Sequence, residues 1–277
     1  MMSRLIKGSE PRIIYLLLGL VITVPVLSHA VLPVPVTKTT RDVYDFIERL
    51  PADSLVVLSF DYSTSTVPEL HPQAIVVTQH LFTRPLKVLF LAQWTDGPAL
   101  TDAVLDSIDK GDKRYGVDYA TLGYIPNTAT LIGMTTDIRQ FFPVDTMATP
   151  TDTLSVIKQY PAAKETSLVL TFAAGEPGLS AYLQYWQARL NIPVAVGSTA
   201  ISAPGFMPFY NSGQIVGILI SMRAAAEYET LINQIGISGA TPAMMAQSMS
   251  HILIVIMVVF GNVAYLARRR QSKEAAK

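Results

Sequence analysis

The sequence predicts an α/β fold: a Rossmann-like, layered, mostly parallel sheet, flanked by N- and C-terminal transmembrane helices. Three observations carry this. First, apolar runs of four to seven residues, such as 55–60 (LVVLSF) and 168–172 (LVLTF), lack the alternation of half-solvated strands, so they suit strands covered on both faces. Second, helical periodicities separate these runs, and strand–helix–strand alternation with right-handed crossovers gives a doubly wound sheet. Third, residues 243–267 contain no Asp, Glu, Lys or Arg and are followed at once by Arg268-Arg269-Arg270. About 20 apolar residues at 1.5 Å each cross a bilayer core, and basic residues mark the cytoplasmic flank.

Taken in order, residues 13–31 form an apolar segment behind a short basic region (cytoplasmic residues 1–12) and admit two readings. One is an uncleaved anchor, because the uncharged run continues to Lys38; the other is a signal peptide, with Ser28-His29-Ala30 supplying small residues around a cleavage site. Residues 32–41 read as a linker whose alternating prolines favour extended backbone. Thr39 or Thr40 is placed to cap a helix with Val43, Phe46, Ile47 and Leu50 on one face.

The domain is read as residues 42–235. Strands are expected at 55–60, 86–92, 119–124, 168–172, 193–196 and 214–220. Helices are expected at 71–82, from Gly97-Pro98 to Lys110, at 128–142 with Gly133 inside it, at 179–190 and at 223–235. Residues 236–242 form a second linker, 243–267 the closing span, and 268–277 a basic tail.

Formal charge is zero overall, yet it is unevenly placed. Residues 1–31 carry Arg4, Lys7 and Arg12 against Glu10, a net of +2; residues 268–277 carry a net of +4; the interior is left at −6. Basic ends around an acidic middle predict both termini in the cytoplasm and the domain on the extracytoplasmic side of the cell's inner (plasma) membrane. The acidic middle also excludes nucleic acid as a partner, since phosphate contacts need cationic surface. The chain has no cysteine, which removes disulfides, thiolate catalysis and Cys-ligated metal.

In open α/β sheets, ligands bind beyond the carboxyl ends of the strands, where the strand order reverses. That places Asp61, Gln93, Glu176, Ser198 and Thr199 on the candidate ligand-binding edge. Asp61 and Glu176 are the candidate catalytic carboxylates. A serine elbow is incomplete at Gly197-Ser198-Thr199-Ala200, and no phosphate-cradling glycine motif occurs. His71 and His80 are not at ligand spacing, so neither a metal nor a cofactor is expected.

One compact signature remains. Ser212-Gly213-Gln214 with Gly217, Ala225-Ala226-Glu227-Tyr228-Glu229 and residues 168–176 (LVLTFAAGE) together resemble a family of uncharacterised prokaryotic membrane-anchored α/β proteins. That resemblance implies no activity, substrate or catalytic residue. The reading reached from sequence is a non-catalytic accessory or scaffold subunit of a membrane assembly, with a small-ligand site at the strand ends. Its partners would be the lipid bilayer and either a membrane protein or further copies of itself. The alternatives are an extracytoplasmic hydrolase acting through carboxylates on envelope material, and a small-molecule sensor.

Overall fold

A computed structural model describes residues 10–28, 34–125 and 127–274. The chain divides into two compact units, Pro33–Ala240 and a second made of Met1–Leu32 with Thr241–Lys277. The expected cleavage site at His29-Ala30, the first part of the linker and the outermost residues of both termini lie outside the described residues.

The larger unit is built on six parallel strands in the order β3-β2-β1-β4-β5-β6. They are β1 (Leu55–Asp61), β2 (Lys87–Ala92), β3 (Tyr119–Tyr124), β4 (Thr166–Ala173), β5 (Val194–Ser198) and β6 (Gly217–Ile220). This is the doubly wound order, reversing between β1 and β4. All seven β1 residues are buried, as a central strand covered on both faces requires.

Period-two alternation gives β1 two different faces. Leu58 and Phe60 point to one side, where Phe60 meets Phe172 and Phe90 at ring distances of 5.4 and 6.1 Å. Val57, Ser59 and Asp61 point to the other, and register places Ser59 beside Thr171 of β4. A polar line therefore runs up the centre of an otherwise apolar face.

Helices cover both sides. The N-terminal helix of this unit, Lys38–Glu48, begins one residue before the expected cap at Thr39 or Thr40. Thr37 stands at its N-cap because its backbone N–H and hydroxyl both donate to Glu227 Oε2, at 3.0 and 2.7 Å. The helix after β1, Val67–Thr83, starts four residues earlier than its periodicity suggests, since Pro68 fits the first turn.

Residues 128–142 do not form one helix. Thr128–Gly133 and Ile138–Phe141 are separate, because Thr135 and Thr136 turn their hydroxyls onto the carbonyls of Ile132 and Gly133, and Asp137 caps the second piece through Arg139 N–H. Residues 179–190 stay helical but widen into a π turn at Leu183–Gln187. Trp186, in that turn, is fully buried and donates its indole N–H to Leu131 O at 2.9 Å, joining the irregular middle of the chain to the helical segment 179–190.

Two helices were not anticipated, the short Ser155–Gln159 and a longer one. Ala203–Asn211 forms despite Pro204, Gly205 and Pro208, residues that mask helical periodicity in sequence. The strand expected at 214–220 is shorter, with β6 confined to its last four residues, and the helix after it, Ser221–Leu231, starts two residues earlier than expected.

In the second unit the N-terminal helix is Glu10–Ser28, and among the described residues its apolar stretch runs from Ile14 to Pro25. The closing helix, Ala240–Glu274, contains Ala240–Leu266, which is long and apolar enough to cross a membrane. Among the described residues it is the one helix that meets that measure.

Candidate functional site

The parallel pairing of β1 with β2 brings Asp61 and Gln93 together. Asp61 is the last residue of β1, and Gln93 follows β2, the strand beside it. Parallel register puts both at the same end of the sheet. Gln93 donates its backbone N–H to Asp61 Oδ1 at 2.7 Å, and its side-chain amide reaches Oδ2 at 3.4 Å and Gly178 O at 3.3 Å. Thr171 Oγ1 donates to Oδ2 at 2.6 Å, and Ser59 Oγ lies 2.8 Å from both carboxylate oxygens. Tyr182 donates its hydroxyl to Ser59 Oγ at 2.8 Å, extending the chain of bonds to a second layer.

Asp61 is fully buried. Burial raises its carboxyl pKa to about 6, because removing a charge from water costs more than the donors from Thr171, Gln93 and Ser59 recover. The Tyr182 hydroxyl is pushed well above its ordinary range, first by burial and then by the adjacent Asp61.

The segment after β4 closes over this network. Trp94 donates its indole N–H to Pro177 O at 2.7 Å, and Ser202 donates to Ala174 O at 3.2 Å. Gly178 is required by packing: a Cβ there would stand 2.7 Å from Gly175 O and 3.0 Å from the Ala173 Cβ.

Glu176 is placed differently from Asp61. It lies exposed on the same segment and takes a hydrogen bond from Ser180, but it is not among the partners of Asp61. Ser198 and Thr199 are buried and belong to a second cluster. Ser198 gives its carbonyl to the Gln73 side-chain amide at 3.0 Å, while Thr199 Oγ1 accepts from Ser202 N–H at 3.1 Å and so shapes the entry to the 203–211 helix. The two clusters are neighbours: Ser198 pairs in register with Ala173, and Ser202 donates to Ala174 O. A narrow gap lined by Phe90, Leu91, Pro98, Thr101, Thr121, Gly123 and Thr146, with no room for a water molecule, includes none of the five candidates.

Ser59, Thr171 and Tyr182 complete the Asp61 network without having been singled out from sequence. A signal did exist for the first two: each is a polar residue two positions before the end of an apolar strand, hence on the same face as that strand's last side chain. Tyr182 gives no such sign, since an aromatic on a helix is indistinguishable from ordinary core.

The compact signature at 223–229 has a structural explanation. Glu227, almost fully buried, accepts from Arg223 Nε at 2.8 Å and holds the Thr37 cap. Glu229 accepts from the N–H groups of Gly236 and Ser238, both at 2.9 Å, and closes the turn beyond the helix. Among the described residues, no group of three or more His, Cys, Asp and Glu is placed to hold a metal ion. No family model, curated protein or solved structure matches the chain.

Proposed function

We propose that this chain is a non-catalytic accessory or scaffold subunit of a membrane assembly. Its closing helix spans a prokaryotic plasma membrane, its N-terminal helix forms a second anchor, and its Rossmann-like domain stands on the extracytoplasmic side with both termini inside. The basic ends and the acidic interior support that orientation.

The observation that carries the non-catalytic reading is the condition of Asp61. The carboxyl group at the switch point is fully buried, and both of its oxygens are occupied by donors from its own fold. A carboxyl group so engaged serves to tie β1, β2 and β4 together at their carboxyl ends. Glu176, the other candidate acid, is left with Ser180 on the exposed segment.

The test uses the purified full-length chain in detergent with envelope carbohydrate and peptide as substrates. The expected result is no release above blank, unchanged by Asp61→Ala or Glu176→Ala, together with recovery of a membrane partner or a second copy on mild extraction. Turnover abolished by either substitution would establish the hydrolase instead.

A further inference from the structure

Residues 248–265 of the closing helix present a polar seam that the apolar span does not satisfy. Ser248, Val255 and Asn262 are seven residues apart, and His251, Val258 and Tyr265 follow each of them by three. Those are the first and fourth positions of a heptad, which line one side of a helix. All six are exposed, with Val255, Val258 and Tyr265 at 60, 57 and 63 %. Leu253, Met257 and Ala264, by contrast, are half-covered, and at 100° per residue they lie on the opposite side.

Asn262 decides what this seam fits. Its Nδ2 donates to Val258 O, four residues back in its own helix, at 2.9 Å. Among the described residues nothing donates to its Oδ1, and one N–H is left over. Lipid tails offer neither donor nor acceptor, so a polar amide in a span gains most by facing another helix. The side chain with a matching donor and acceptor at the same depth is another Asn262, because two copies of one chain insert in the same direction. A lone Asn at the first heptad position also favours a parallel pair in one register.

We infer that two copies of this chain pair in parallel through Ser248, His251, Val255, Val258, Asn262 and Tyr265, with Asn262 against Asn262. This rests on the reading of the closing helix as a membrane span.

The absence of cysteine from the chain makes the test direct. Full-length chains carrying Ser248→Cys, Val255→Cys, Val258→Cys, Leu253→Cys or Met257→Cys are reconstituted singly into phosphatidylcholine vesicles and oxidised. Flotation and alkaline extraction first report whether each is inserted. Disulfide-linked dimers are expected at 248, 255 and 258 and not at 253 or 257, and adding Asn262→Val should lower the yield at 255 by roughly threefold or more. Inserted chains that stay monomeric, that cross-link without this periodicity, or whose yield ignores Asn262→Val would overturn the pairing and leave the membrane reading standing. Chains that fail to insert would overturn both. Cross-linking in native membranes to a different protein, with none between copies in vesicles, would assign the seam to that partner instead.

Discussion

Gln93 N–H donates to Asp61 Oδ1 at 2.7 Å, so the backbone leaving β2 is tied to the last side chain of β1. Thr171 binds the other oxygen from β4. A single carboxyl group thus joins three adjacent strands at the point where the winding of the sheet reverses. This is why the most suggestive acid in the sequence is best understood as part of the frame.

That burial gives Asp61 a definite pH signature. Its folded pKa is raised to about 6 from 3.8, so the folded state holds the proton more tightly than the unfolded chain. The stability it confers is full below about pH 4 and is lost as pH rises through about 6, by up to about 3 kcal/mol. Asp61→Asn should therefore flatten the fall in melting temperature between pH 4 and 7. Parallel curves for the two proteins would contradict it.

His80 should act in the opposite sense. It is buried between the Tyr228 hydroxyl at 2.8 Å and Glu48 at 2.7 Å, and burial lowers its pKa although the Glu48 carboxylate pulls upward. His71, bonded by Tyr62, is shifted the same way. For both, stability is present above the ordinary imidazole range and is lost as pH falls below it. His80→Gln should reduce the loss on acidification, as read by denaturant midpoints from pH 7 down to 5.

Glu227 anchors the start of the 38–48 helix through Thr37 while paired with Arg223. Glu227→Ala leaves buried donors unmatched and should cost about 2–4 kcal/mol. Arg223→Ala, at the half-exposed end of the pair, should cost less than 1 kcal/mol. Denaturant unfolding of the two variants should separate them clearly, and equal losses would refute the assignment.

Gly217 lies where β6 meets the 38–48 helix. A Cβ there would stand 2.5 Å from Val43 Cγ2 and 2.9 Å from Val43 N, and backbone cannot move aside cheaply. Gly217→Ala should destabilise by about 1–3 kcal/mol, whereas Gly205→Ala, which meets open space, should not. Melting temperatures of the pair test this.

Sequence revealed the strands well because a parallel sheet buried on both faces leaves continuous apolar runs, and their ends located Asp61 and Gln93 on one edge. What stayed hidden depends on contacts distant in the chain. Thr37 and Glu227 are 190 residues apart, and Tyr182 reaches Ser59 across 123. The 203–211 helix was obscured because Pro204, Gly205 and Pro208 are poor helix formers that tertiary packing overrides. Glu176 looked equivalent to Asp61 in sequence, since each follows a buried strand. The difference is that β1 ends at Asp61, whereas β4 ends at Ala173 and the chain runs on into an exposed segment before Glu176.

The reading of a membrane-held subunit depends most directly on Ala240–Leu266. Alkaline carbonate extraction of membranes containing the full-length chain measures it. The chain should remain in the membrane pellet with integral proteins; its release into the supernatant, as for a peripheral protein, would contradict the account.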